Sequence, residues 1–338
     1  MFDGSIDDGR YLWLPRSKVN ARAIRYSLAV GDMPSEALLT DTHVRVPRHY
    51  LREQEIPTPL KRSGPALERR DVIGTRTELF DYQIAPFLSM WKHAGGVLNL
   101  GCGYGKTVVS LHYIGTRGLK SLVVVNQLNL ISQWRDEATT HLCLQEEDIG
   151  VVQADKWDWQ DKDLAIASIH TLSKRGDNVP KGFYESFGLV VFDECHHLSA
   201  PMFRGLCPKF VGERHGLSAT PQREDGLETV FTNHLGPVHY SQIEQELIPD
   251  CIFVDTPVGP EAMEADEVKD KAGEVNHRRL CAYLGNLEER HQICVSQILR
   301  LVEEGHHVLC LSHSVDHVEK MHADVPNSGL ACGSVPAE

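Results

Sequence analysis

The chain is 338 residues long, 41% hydrophobic and 24% charged, with a formal net charge of −13, which is a globular composition with room for two domains and a small third. No apolar run approaches the roughly 20 residues of a membrane-spanning helix, and the acidic start MFDGSIDDGR is unlike a secretory leader. The nine cysteines are scattered without a C-x-x-C pair, so neither a zinc site nor a disulfide framework is indicated, and a reducing cytoplasmic setting is expected.

Residues 1–75 mix short apolar runs with Pro and Arg, and Leu-Pro-Arg at 14–16 is echoed by Val-Pro-Arg at 46–48. The reading is a small separate α+β module ending in a Pro-rich, charged linker, IPTPLKRSGPALERR (56–70). The stretch before residue 79 is slightly basic and the remainder clearly acidic, so any basic surface for a polyanion is concentrated here.

From about 76 to 240 the pattern becomes α/β. The runs VLNL (97–100), SLVVV (121–125), LAIAS (164–168), LVVF (189–192) and HGLSA (215–219) read as buried parallel strands. Helix-length stretches such as 106–116 and 128–139 lie between them, which predicts a doubly wound parallel sheet. Residues 261–274, EAMEADEVKDKAGE, read as a solvated linker or insertion. Beyond them a helix over 290–305, a strand over 307–312 and a helix over 314–325 are expected, the opening of a further α/β unit. Fewer than about 100 residues follow residue 240, too few for a complete second sheet with its covering helices.

The central motif is LNLGCGYGKTVVSL (98–111), a strand, a glycine-rich loop, Lys106, Thr107 and a helix. Gly103 and Gly105 allow backbone N–H groups to turn toward phosphate oxygens. Lys106 can reach terminal phosphates, and the Thr107 hydroxyl can ligate Mg²⁺ at a helix N-terminus. The strict phosphate-loop pattern has Gly where this chain has Leu100. Taken alone, VLNLGCGYG also closely resembles the first motif of S-adenosylmethionine-dependent methyltransferases. That fold wants an acidic residue at the end of the second strand, where this chain has Asn126-Gln127.

Downstream, LVVFDECHHLSA (189–200) places Asp193 and Glu194 just past an apolar strand. A strand-end Asp can hold Mg²⁺, and the adjacent Glu can orient and deprotonate a water. An acidic turn after a strand is common, and Ser218-Ala219-Thr220 in GLSATPQRED (216–225) could simply cap a helix. The three motifs in this order and spacing, however, select phosphate chemistry over the methyltransferase.

With these motifs the chain resembles superfamily 2 helicases with a DECH box, nearest the group containing XPB and phage UvsW-type helicases, from about residue 76 onward. The resemblance implies RecA-like domains, ATP and Mg²⁺ as cofactors, and DNA, duplex or branched, as partner. RTELFDYQ (76–83) resembles the Q motif, which implies that Arg76 and Gln83 meet the nucleotide, with Gln83 reading adenine. GCGYGKT (101–107) resembles motif I, which brings Gly101, Cys102 and Tyr104 into the nucleotide site beside Gly103, Gly105, Lys106 and Thr107. VVVNQLNLISQW (123–134) resembles motif Ia and ASIHTL (167–172) motif Ib. They imply nucleic-acid contacts by Asn126, Gln127, Gln133, Trp134, His170 and Thr171. The family more often has Pro-Thr at 126–127. DECH (193–196) resembles motif II, with His196 coupling the site to the rest of the motor. SAT (218–220) resembles motif III, implying a coupling role for Ser218, Ala219 and Thr220, and LCLSHSVDHVEKM (309–321) resembles motif IV.

Other features have plainer readings. Trp157 and Trp159 alternate and so pack an edge more readily than they stack on bases. His306 and His307 lack ligand partners at metal spacing, Cys195 is a packed residue, and His197 supports its neighbours. The family's second-domain Q-x-x-G-R-x-x-R motif, whose arginines reach the γ-phosphate, does not follow Ser312. The expectation is therefore an ATP-driven DNA translocase cut inside its second RecA-like domain, or a nucleotide-gated DNA-binding module completed by another chain. Replication, repair or recombination proteins would be its partners, in the nucleoid of a phage or bacterial host. The basic N-terminal module is expected to recognise duplex or branched DNA.

Overall fold

The structure, a computed structural model, describes residues 4–29, 35–53, 73–93, 95–176, 178–220, 227–243 and 250–332. The predicted linker 56–70 and residues 221–225 lie outside them. The chain divides into two compact units, residues 1–247 and 248–338.

The first unit opens with an antiparallel sheet of β1 (Ile6–Asp7), β2 (Tyr11–Pro15), β3 (Leu38–Leu39) and β4 (His43–Pro47), in the order β1-β2-β4-β3. The repeated apolar-Pro-Arg pattern lands on the two central strands, with Leu14 opposite Val44 and Leu12 opposite Val46. Their inward faces, Leu12, Leu14, Val44 and Val46, pack against Ile24 of helix α1 (Ala21–Ser27) and Leu51 of α2 (Tyr50–Glu53). Asn20 caps α1 by accepting the Arg22 and Ala23 N–H groups.

The second sheet of this unit holds, among the described residues, β5 (Gly95–Leu100), β6 (Ser121–Val125), β7 (Ile149–Gln153), β8 (Lys156–Trp157), β9 (Leu164–Ser168), β10 (Leu189–Phe192), β11 (Glu213–Ser218) and β12 (Val238–Gln242). Their order is β12-β5-β11-β10-β6-β9-β7-β8, parallel except for the β7–β8 hairpin at one edge. The predicted strands are continuous apolar runs because both faces are covered. Leu98, Leu100, Val123, Val125, Leu189 and Val191 face one core, while Val97, Leu122, Val124, Val190 and Phe192 face the other. Helices α3 (Asp81–Lys92), α4 (Lys106–Arg117), α5 (Asn129–His141), α6 (Ile169–Arg175) and α7 (Glu228–Leu235) complete the doubly wound α/β architecture.

The N-terminal sheet is not freestanding. Arg48, just after β4, forms a buried ion pair with Asp7 and donates from Nη1 to the Gly212 carbonyl at 2.9 Å. Buried Arg214 of β11 donates to the Cys207 carbonyl at 2.8 Å, and the His49 N–H bonds the Asn233 carbonyl of α7 at 2.9 Å. Local sequence could not show this docking, because its partners are as much as 205 residues apart.

In the second unit a helix that the sequence reading did not anticipate, α8 (His277–Asn286), precedes the two expected helices, which appear as α9 (Glu288–Glu303) and α10 (Val315–Asp324). The expected strand at 307–312 does not form: it has no partner strand among the described residues, and Leu309 and Leu311 are 82% and 83% exposed. Apolar patterning marks a strand only where a neighbour takes its N–H and C=O groups. The acidic stretch 261–274 is also not wholly solvated, since Ala262 and Val268 are buried on two short 3-10 turns. Among the described residues no helix is long and apolar enough to cross a membrane.

Candidate functional site

The site lies at the carboxyl ends of the central strands, where open parallel sheets bind ligands. Strand β5 delivers the chain into Gly101, whose N–H bonds the Gln242 carbonyl of β12 at 3.0 Å. Gly103 has φ +85° with open space where a side chain would stand, and Gly105, at φ +72°, is the N-cap of α4. Both conformations favour glycine, and they leave the loop N–H groups and the start of α4 free of side-chain bulk. Cys102 is exposed, Tyr104 half-buried against the core, and Thr107 half-buried in the first turn of α4. The Lys106 ammonium donates to the Leu100 carbonyl at 3.0 Å, folded back across its own loop.

Gln83 is buried rather than open to solvent. Its Oε1 accepts the Phe80 N–H at 3.1 Å, closing the first turn of α3, and its Nε2 lies where a Cβ on Gly105 would be, 2.2 Å away. The carboxamide is thus laid on the glycine loop. Beside it Phe80 and Tyr82 stack at 5.7 Å, and Tyr82 meets Tyr104 edge-on at 6.2 Å.

Strand β10 places Asp193 and Glu194 at the same end of the sheet. Asp193 Oδ2 accepts the Trp134 indole N–H at 2.9 Å and Oδ1 the Glu194 N–H at 3.0 Å. Burial raises the Asp193 pKa, opposed by the Trp134 bond and by the charge of Lys106. Glu194 sits at φ +46°, a left-handed conformation that costs energy for a non-glycine residue and turns its carboxylate out of the strand line. Its pKa is lowered, first by the hydrogen bond with His196 and further by Lys106. His196 Nδ1 lies 3.3 Å from Glu194 Oε2 and 3.1 Å from Ser218 Oγ. The Thr220 N–H donates to that same Ser218 oxygen at 3.1 Å, so Ser218 links the DECH segment to the turn after β11. Ala219 is half-buried and Thr220 exposed.

Several sequence-derived assignments need correction. Trp134 cannot stack on a nucleic acid: it is 1% exposed, packed in the core with its indole bonded to Asp193. Thr171 is 8% exposed, its hydroxyl accepting the Ala154 N–H at 2.9 Å. Arg76 does not face the loop, since its guanidinium donates to the carbonyls of Thr139 in the last turn of α5 and of Leu144 just beyond it. Asn126 donates from Nδ2 to His197 Nε2 at 2.8 Å and so braces the DECH segment. Gln127, Gln133 and His170 are exposed. Trp157 and Trp159 pack edge-on against Phe183.

Sequence reasoning missed Asn99. This buried residue of β5, in the amide orientation that satisfies both of its ends, donates to the Ser218 and Ala219 carbonyls at 3.1 Å and accepts from Ser241 Oγ at 2.8 Å. The signal was available: one polar residue inside the apolar run VLNL must find buried partners.

Residues 76–223 match the family model described as Type III restriction enzyme, res subunit. The chain is 28% identical over 219 residues to the DNA 3'-5' helicase XPB of Mycobacterium tuberculosis, covering 64% of this chain and 38% of that protein. It is 31% identical over 212 residues to a putative DNA 3'-5' helicase Rad25 of Haloarcula marismortui, covering 57% of this chain and 33% of that one. The UvsW helicase of bacteriophage T4 aligns over 48% of this chain and 60% of that structure, at 20% identity and a TM-score of 0.40. The chain thus spans between a third and two fifths of the length of the first two of these relatives. The glycine loop, the DECH segment and the Ser-Ala-Thr turn, the last two joined by hydrogen bonds, all lie at the carboxyl ends of the strands within the region in which the chain is similar to the Type III restriction enzyme res-subunit family and to these XPB-group helicases.

Proposed function

We propose that this chain carries the ATP-hydrolysing domain of a DNA helicase or translocase. The observation that carries the reading is the continuous linkage Glu194–His196–Ser218–Thr220, which joins a carboxylate facing the nucleotide loop to the turn after β11. The similarity to proteins named as DNA 3'-5' helicases supports the same reading.

The chemistry follows from the residues. Gly103, Gly105 and the first N–H groups of α4 cradle phosphate oxygens, and Lys106 exchanges its Leu100 carbonyl for the terminal phosphates. One hydroxyl from Thr107 and one carboxylate from Asp193, with phosphate and water oxygens, suit a hard cation such as Mg²⁺. When bound, that cation neutralises charge on the phosphates. Glu194, ionised through its His196 contact, orients the attacking water and takes its proton. Ser218, Ala219 and Thr220 relay the state of the site outward. Gln83, lying on Gly105, reports adenine to the loop, with Phe80 or Tyr82 offering an aromatic face. The exposed Gln127, Gln133 and His170 face the nucleic acid. In the N-terminal module Arg16, Lys18, Arg22 and Arg25 are all exposed on one short segment, which suits a duplex phosphate backbone. The protein is expected to work in the cytoplasm, alongside the nucleic acid it acts on.

The test is steady-state ATP hydrolysis with and without branched DNA, with an RNA duplex alongside. DNA-stimulated hydrolysis in the native chain, abolished in Lys106→Ala, is expected. Lys106-independent hydrolysis, or no nucleotide binding at all, refutes the reading.

A further inference from the structure

A tryptophan is an unusual way to fill the space at position 134. A phenylalanine or leucine would bury a similar apolar surface without bringing a polar N–H that needs an acceptor. Trp134 sits on α5 with its ring in the core between helix and sheet, and its indole N–H meets one carboxylate oxygen of Asp193 at 2.9 Å. The other oxygen is held by the Glu194 N–H at 3.0 Å, so the plane of the carboxylate is fixed from two directions. The same helix presents Asn129, Ser132 and Gln133 to solvent. A second bond, from Asn126 to His197 at 2.8 Å, ties the segment leading into α5 to the residue that follows the DECH box.

We propose that Trp134 is a positioning residue that orients Asp193 for Mg²⁺ and transmits displacements of α5 to that carboxylate. This rests on the proposed function, in which Asp193 is a Mg²⁺ ligand and the exposed side of α5 meets nucleic acid. The helix moves as a rod, and a hydrogen bond weakens steeply with distance and angle. A small shift of α5 on DNA binding therefore changes how the Asp193 oxygens are presented, although no DNA atom comes near them. By reciprocity, Mg²⁺ and nucleotide would then tighten or loosen DNA.

The experiment measures binding of a fluorescent ADP analogue to the full chain as Mg²⁺ is titrated, with and without a short mixed-sequence single-stranded DNA. Trp134→Phe keeps the ring and removes the donor. It is expected to raise the Mg²⁺ concentration at half-saturation about 10-fold and to erase the effect of DNA on that concentration. A role in packing alone would lower thermal stability and leave both quantities unchanged, and that result overturns the proposal. Should Trp134→Phe fail to fold, the indole ¹H–¹⁵N resonances of the native chain decide. One of the five must shift when Mg²⁺ and ADP are added, and no shift in any of them overturns the proposal. A native chain that binds no Mg²⁺-nucleotide ends the proposed function, and this inference with it.

Discussion

Replacing Arg48 by Met should destabilise the N-terminal sheet and weaken its docking on the doubly wound sheet. Arg48 Nε lies 3.1 and 3.2 Å from the two Asp7 oxygens and Nη2 3.1 Å from Oδ2, while Nη1 holds the Gly212 carbonyl. Both side chains are buried, so the substitution leaves a carboxylate out of water without its cation. Breaking a buried pair from one side costs about 3–5 kcal/mol. One effect works the other way. Arg214, fully buried and pushed down to about 9 by burial and by the charge of Arg48, loses a like-charged neighbour. The net cost should therefore fall near the lower figure, about 3 kcal/mol. For a unit of this size that lowers the melting temperature by about 6–12 °C. Tryptophan fluorescence against urea and temperature measures it. The double change Asp7→Leu with Arg48→Met removes both charges and should recover most of the loss. If Arg48→Met alone stays within about 1 kcal/mol of the native chain, the buried-pair reasoning fails.

Two further outcomes follow from the geometry. His215 and His239 are each pushed down to about 3, chiefly by burial, so both are neutral in the folded protein. In the unfolded chain they titrate near 6.5. Their contribution is therefore fully present above about pH 6.5 and is lost as the pH falls from there toward 3. By pH 5 each should have removed about 2 kcal/mol; a urea midpoint unchanged between pH 7.5 and pH 5 contradicts this. Gly105→Ala places a methyl 2.2 Å from Gln83 Nε2 at φ +72°. It should weaken nucleotide binding by about 10-fold or more, since 1.4 kcal/mol suffices for that factor, with the circular-dichroism spectrum unchanged. Native affinity in this variant would show that the loop does not rest on Gln83.

Local pattern was enough to determine the alternation of strand and helix, the glycine loop of Gly103 and Gly105, and the strand-end carboxylates Asp193 and Glu194. Each is encoded within a few residues: a buried parallel strand is apolar along most of its length, and the glycine loop needs backbone angles that other residues resist. Side-chain partnerships across the fold were decided elsewhere. Trp134 reads as a nucleic-acid contact, and only the packing of α5 on the sheet turns its N–H toward Asp193. Arg76 reads as a nucleotide contact until the last turn of α5 and the residues after it supply it with two carbonyls. The run 307–312 has a strand's composition, yet no strand forms without a neighbour to bond it. Periodicity records which face of an element is apolar. Which group meets which depends on elements up to 205 residues apart, such as Arg214 and the Gly9 carbonyl, and is fixed when the two sheets pack.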